Sequence, residues 1–264
     1  MGYIFNSNDT EIYNQWLKSP KAQSVLEIEN NLIFKMLQPR RGESVIDIGC
    51  GTGETLGAFL KKGLHVTGIE PSSYMKEIAL KNLGHRADLH SGCAEDLPFD
   101  DNSFDYACLI KTIEFVDNPE KAIEEACRVA KEKVFIGIMN RCSSKTTCLR
   151  IQRIFIKNLY SHASFFSIWE LKKKIKSITG NVPISWRTVC GFPSRFGKIG
   201  CKIEEYDLIQ HFPFGAFAGI MVIPVPLFRT RPLELSCDVE PMPKGSEAVP
   251  GLAGTKWDNK SLDS

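Results

Sequence analysis

Metal-type cysteine spacing is missing from this sequence: nine cysteines are scattered over 264 residues with no CxxC pair and no Cys/His ligand cluster. An odd, unpatterned set argues against a zinc site and against a disulfide framework, and for reduced thiols in an intracellular, cytoplasmic protein. An excess of one charge is also lacking. Lys and Arg total 33 against 31 acids, a net charge of +2, so the whole-chain balance selects no class of partner and any electrostatic argument has to be local. The opening MGYIFNSNDT has no basic start followed by an apolar run, so no signal peptide is expected, and Asn6 stands where a myristoylation motif needs Ser or Thr. No apolar run reaches the ~20 residues of a membrane span. The longest, Phe212 to Phe228, is broken by Pro213, Pro224 and Pro226 and is expected to contain a buried strand instead. There is no internal repeat.

What is present is a change of rhythm. Ile12, Tyr13, Trp16 and Leu17, then Val25, Leu32, Ile33, Met36 and Leu37, recur at helical spacing, and Pro39 closes the second pattern. From SVIDIGC onward, short apolar strands follow at HVTGIE, ADLHSGC, FDYACLI and KVFIGIMN, separated by helical or loop segments. One intervening helix is announced by Asn118 as N-cap and Pro119 at its first position. Such alternation predicts right-handed crossovers and a mostly parallel sheet, with ligands collected at the carboxyl ends of the strands. Beyond Asn140 two helices are expected at 145–160 and 167–178, then strands at PISWRTVC and at 216–223. The Pro-, Gly- and Ser-rich segment 229–264 is expected to be a flexible tail.

Residues 45 to 55, VIDIGCGTGET, run from a strand into a glycine turn. Glycine lets the backbone approach a ligand closely and leaves N–H groups exposed at the start of the next helix. A dinucleotide fingerprint needs a small residue three positions after its second glycine, but that position is Glu54, and no Gly-Lys-Ser/Thr follows as a P-loop requires. Phosphate is therefore disfavoured, and Asp47 points the same way, because a carboxylate repels phosphate and attracts an amine or a sulfonium. Glu70 ends HVTGIE about twenty residues after the first glycine, where an acid accepts hydrogen bonds from both ribose hydroxyls, its alternative being only to cap the helix from Ser72. Turn, spacing and strand end together predict an adenosine without phosphates.

VIDIGCGTG, the acid in GIEPS, CAEDLPFDDNSFD and EEACRVAKEKVFIGIMNR together resemble the class I S-adenosylmethionine-dependent methyltransferases, in the subgroup acting on small molecules such as quinone precursors and biotin intermediates. The likeness covers roughly residues 10 to 225. It implies a Rossmann-like α/β fold, with a seven-stranded, mostly parallel sheet, helices on both faces and an antiparallel last strand. It also implies S-adenosylmethionine as cofactor and S-adenosylhomocysteine as product. Carried over by position, Gly49, Cys50 and Gly51 pass under the methionine part, with Asp47 holding the loop or a water near the amine. Glu70 takes the ribose, and Pro71, Ser72 and Met75 begin the adenine pocket. Cys93 and Ala94 fall where adenine is contacted, although Cys93 replaces the usual polar residue. Ile110 falls near the reacting methyl. The family's Pro-Gly-Gly turn is absent before the fifth strand.

The division implied is an N-terminal helical cover at 1–40, in which Tyr13 and Trp16 serve either as lid or as core, and a methyltransferase domain at 41–228 with a basic helical insertion at 141–180. That insertion holds nine Lys or Arg between Arg141 and Lys176 against one acid, Glu170. Its cations are either a solvated face or a receiver for an acidic acceptor, an anionic lipid surface or RNA. RNA is disfavoured because aromatics are not interleaved with the cations. No general base stands out: Glu114, His162, His211 and Lys111 each have a surface role as the alternative. The function expected is methyl transfer to a small organic acceptor, acidic or lipid-like, with peripheral membrane contact open. A non-catalytic module that holds the same cofactor and engages RNA or lipid, and a nicotinamide oxidoreductase, are the rivals.

Overall fold

A computed structural model describes residues 2–155, 160–190 and 207–224. They fall within a unit spanning Met1–Leu227; a second unit, Phe228–Ser264, holds the segment expected as a tail and lies outside the described residues. Two helices lead, α1 (Ser7–Leu17) and α2 (Pro20–Leu37). Each has the start its sequence announces: Asn6 and Asp9 form a reciprocal capping box on α1, and Ser19 caps α2 ahead of Pro20.

The alternation then appears as predicted: β1 (Ser44–Ile48), α3 (Glu54–Lys61), β2 (His65–Ile69), α4 (Ser73–Leu83), β3 (Asp88–His90), β4 (Phe104–Ile110), α5 (Pro119–Val129) and β5 (Ala130–Met139). The fifth strand starts three residues earlier than its apolar run, because Ala130 turns extended directly after α5 with no intervening loop. The chain continues through α6 (Ser144–Phe155), α7 (Ile168–Thr179), β6 (Ile184–Val189), the short α8 (Asp207–Gln210) and β7 (Phe217–Val222).

The seven strands lie in the order β3-β2-β1-β4-β5-β7-β6. Pairings among β1 to β5 are parallel, whereas β7 is antiparallel to both β5 and β6 between which it is inserted. The sheet is a Rossmann-like α/β sheet with an antiparallel last strand. Strand order reverses between β1 and β4, which opens a crevice at their carboxyl ends.

Period-2 alternation divides the core. Ile46, Ile48, Leu109, Ile136 and Ile138 face α5 and α7 on one side. Val45, Tyr106, Cys108 and Phe135 face α2 and α3 on the other, with Leu56 and Phe59 of α3 filling the gap. The last crossover is made by α7, whose Ile168, Leu171 and Ile175 are buried against that first face, with Lys174 paired to Glu120 of α5. The C-terminal half of the expected basic insertion is thus a helix of the sheet's own scaffold. No described helix is long and apolar enough to cross a membrane.

Candidate functional site

Three strand ends build one cavity. The turn after β1 contributes Asp47, Gly49, Cys50 and Gly51; the end of β2 contributes Glu70 and Pro71, with Met75 from the first turn of α4. Cys93 and Ala94 enter from the loop after β3, and Ile110 from the end of β4. Ten of the eleven residues that the sequence assigned to the cofactor therefore line the same hollow. Ser72 does not line it; its Oγ accepts from the Met75 N–H and caps α4.

The turn is shaped by contacts as well as by backbone freedom. Gly49 has φ +75°, and a Cβ there would fall 2.4 Å from Thr112 Cγ2, whose hydroxyl is fixed to the Ile48 carbonyl at 2.8 Å. Gly51 has φ +57°, yet a Cβ would meet only Met75 Sδ at 3.7 Å. The first glycine makes room for protein and the second leaves room beside it in the cavity. Glu70 ties this turn to β2: its two oxygens accept from the Gly51 and Ser72 N–H groups at 2.9 Å each.

Electrostatically the hollow is over-supplied with carboxylates. Asp47 is 2 % exposed and its Oδ1 has no hydrogen-bond partner. Burial first, then Glu70 and Glu54, push its pKa well above the usual carboxylate range. Burial raises Glu70 and Glu54 too, opposed by the Ser72 and Gly51 amides in one case and by Thr52 Oγ1, donating at 2.6 Å, in the other. Burial likewise holds the Cys50 thiol well above its ordinary value, so it is no nucleophile. A diphosphate placed here would face three acids, whereas a positively charged group would supply the partner that Asp47 lacks.

The opposite wall comes from segments that motif reasoning missed. Residues Gly2 to Phe5 cross the cavity as a strap: the Tyr3 N–H donates to the Phe115 carbonyl at 2.8 Å, and Ser72 Oγ donates to the Phe5 carbonyl at 2.7 Å. Phe5 packs edge-on against Phe115 at 5.0 Å. From α2 come Glu29 and Asn30, from the loop after β4 Lys111 and Thr112, and Tyr160 also lines the space. Glu29 had a sequence signal. It occupies an apolar stripe with Ala22, Val25, Leu32, Ile33 and Met36, an acid where the helical period calls for a hydrophobe. Glu29 Oε2 accepts from Lys111 Nζ at 2.6 Å, with side chains 7 % and 22 % exposed. Burial works against the Lys111 ammonium, but Glu29 more than restores it.

Other expectations change. Glu114, with solvent as its alternative, is buried at 1 %: Oε1 accepts from the Met139 N–H at 2.7 Å, Oε2 has no partner, and burial raises its pKa to about 7. It is not among the residues lining the cavity. Tyr13 reaches the cavity, whereas its stacking partner Trp16, 5.8 Å away, does not. His162 is exposed and stacks on Tyr3 at 4.2 Å; His211 is exposed with its ring edge-on to Trp186. Lys111 faces Glu29 and the cavity rather than water. Within 141–180, Tyr160 alone among the described residues lines the cavity, and Arg141 is paired with Glu170 at 2.7 Å. The end of the helix expected at 145–160, residues 156–159, lies outside the described residues, as do the side chains of residues 152–155.

A doubly wound sheet with this strand order, and with acids in place of phosphate-binding chemistry at its glycine turn, places the protein among Rossmann-like folds with a site suited to a nucleoside without phosphates. The comparisons agree. A methyltransferase-domain family profile matches residues 46–137. An uncharacterised protein of Methanocaldococcus jannaschii is 29 % identical over 212 residues, 80 % of this chain and 94 % of that protein. A demethylmenaquinone methyltransferase of Clavibacter sepedonicus is 30 % identical over 118 residues, 42 % of this chain and 48 % of the enzyme, so the chain spans about half of that relative's length. A solved Thermotoga maritima S-adenosylmethionine-dependent methyltransferase, named a possible histamine N-methyltransferase, superposes with a TM-score of 0.62 at 29 % identity, covering 81 % of this chain and 95 % of that one. The profile match, the relatives and the fold together support a class I S-adenosylmethionine-dependent methyltransferase, with S-adenosylmethionine as the cofactor.

Proposed function

We propose that this protein moves a methyl group from S-adenosylmethionine to a small organic acceptor by in-line displacement, with the cavity at the ends of β1, β2 and β4 as its active site. The observation that carries this reading is the buried Asp47 Oδ1 without a partner, beside Glu54 and Glu70. Gly49, Cys50 and Gly51 would lie under the methionine part, and Asp47 would meet its amine directly or through a water. Glu70 would receive the ribose hydroxyls on lone pairs left over from its two backbone bonds, with Pro71, Met75, Cys93 and Ala94 around adenine and Ile110 beside the methyl. The cofactor supplies a methyl group on positively charged sulfur, which is activated in advance. The chain's own task is to hold acceptor and methyl in line and to keep water out. The Gly2–Phe5 strap and Tyr13 supply that cover.

Two measurements test this. Incubation with methyl-labelled cofactor and fractionated metabolites should move label into one small-molecule fraction; label remaining wholly on the cofactor would leave a binding module. Calorimetry of S-adenosylhomocysteine should show Glu70→Ala weakened by about 1–3 kcal/mol, the cost of losing buried charge-assisted hydrogen bonds. Unchanged affinity would remove Glu70 from the ribose site.

A further inference from the structure

Two costs converge on one side of the cavity with no return in stability. Lys111 is a non-glycine residue in the left-handed region, at φ +55°, directly after the strand-end Ile110. Its ammonium is paired with a carboxylate set into the apolar stripe of α2. A buried ion pair contributes little stability compared with apolar side chains of similar size, and strained backbone outside glycine persists where surrounding structure enforces it, often at functional sites. Both groups line the hollow, alongside Asn30, Tyr13 and Tyr160. The pair offers an acceptor molecule one hydrogen-bond acceptor and one donor, at no net charge.

The remaining charges restrict what can come there. Besides Glu29, the lining carries Asp47, Glu54, Glu70 and Glu95, and Lys111 is the one lysine or arginine among the described lining residues. The cofactor brings two cationic centres and one carboxylate, a net single positive charge, against the several acids that line the cavity. A carboxylate or phosphate acceptor would be repelled.

We propose that Glu29 and Lys111 form the acceptor subsite, and that the acceptor is a small neutral protic nucleophile, an amine or a hydroxyl, whose X–H hydrogen bonds to Glu29. This rests on the cofactor reading given above. In the transfer the lone pair on X forms the bond to the methyl carbon as the carbon–sulfur bond breaks, its electron pair passing to sulfur. The X–H proton passes to the Glu29 carboxylate and from there to water when product leaves. Lys111 holds the Glu29 carboxylate in place through their 2.6 Å ion pair and donates to a second polar atom of the acceptor.

The test uses the full chain saturated with S-adenosylhomocysteine and three probes built on one ring: aniline, phenol and benzoate, with binding followed by ligand-observed NMR. Aniline or phenol should bind about tenfold or more tightly than benzoate, and which of the two leads separates amine from hydroxyl. Glu29→Gln leaves Lys111 an unpaired cation and should shift preference toward benzoate. The double variant Glu29→Gln/Lys111→Met strands no buried charge; it should bind S-adenosylhomocysteine within about twofold of the parent and lose the discrimination. With methyl-labelled cofactor in place of the product, the preferred neutral probe should take up label and benzoate should not. Benzoate bound by the parent as tightly as the others, no probe bound at all, or discrimination surviving in the double variant would overturn the proposal. Should a variant fail to fold, the parent's ranking of the probes decides alone. Failure of the parent to bind S-adenosylhomocysteine would be a different result, one that sinks the cofactor reading itself.

Discussion

Gly49 and Gly51 are separated by a single residue and answer to different constraints. Alanine at 49 would meet Thr112, a β-branched side chain already anchored to the Ile48 carbonyl. It should lose about 1–2 kcal/mol to left-handed strain and a further ~1–3 kcal/mol to overpacking. Alanine at 51 pays the strain alone and places its methyl at the cavity wall. In urea unfolding Gly49→Ala should be much the less stable, whereas in calorimetry folded Gly51→Ala should lose affinity for S-adenosylhomocysteine. Equal stabilities would show that Thr112 gives way. Glu114 provides a pH signature. Its folded pKa of about 7 lies above the ordinary 4.5. Below 4.5 both states hold the proton and the group is silent. As pH rises toward 7 the unfolded chain releases it first, so stability falls, by roughly 3 kcal/mol once the folded group has also ionised. Glu114→Gln cannot titrate, so its stability relative to the parent should climb by that amount between pH 4.5 and about 8; parallel curves would show that Glu114 ionises freely. In this region the sequence revealed the acids of the glycine turn because glycine and strand-end spacing mark them. Burial of Glu114 was hidden, because the backbone N–H that donates to its carboxylate belongs to Met139 on a neighbouring strand.

Among elements, the strap is the least legible from sequence and the easiest to test. Four residues with no periodicity carry no pattern of their own; what holds them is tertiary, the Phe115 carbonyl and the Ser72 hydroxyl. Tyr3→Ala/Phe5→Ala removes one stacked and two edge-on ring contacts, each worth about 0.5–1.5 kcal/mol, and the bond the Tyr3 hydroxyl donates to Asp9 at 2.6 Å. If the strap holds the cofactor in, S-adenosylhomocysteine should leave the variant about tenfold faster, alongside a fall of several degrees in the melting temperature of the ligand-free protein. An unaltered off-rate in stopped flow would reduce the strap to a terminal decoration. The helices and strands, by contrast, were legible wherever apolar period and end signals coincided, as at Asn118-Pro119 before α5 and Ser19-Pro20 before α2. The cationic run on α7 left a solvated face and a receiving one both open, because lysines report which face is wet and say nothing of what the dry face covers. Here Leu171 and Ile175 cover the sheet.

For the molecule as a whole, cofactor choice separates it from a dinucleotide enzyme. A ligand present at a hundred times its Kd stabilises the folded state by about 2.7 kcal/mol, which for a chain of this size raises Tm by roughly 5–10 °C. S-adenosylhomocysteine should produce that shift and NADH, whose diphosphate would meet Asp47, Glu54 and Glu70, should produce none. A comparable shift with NADH would restore the oxidoreductase. The parallel sheet and its crevice were readable from the order of elements, because chirality and crossover rules leave few alternatives. The identity of the acceptor was not, because Glu29, Lys111 and Tyr160 are far apart in sequence and meet only after folding.

The insertion of β7 between β5 and β6 also bears on biosynthesis. Both of those strands emerge earlier and wait with an unsatisfied margin, since neither pairs with the other and their shared partner follows both in the chain. A nascent chain halted before residue 217 therefore leaves β5 bare on one edge and β6 unpaired on both, and is most exposed to misassociation in the interval just before β7 is translated.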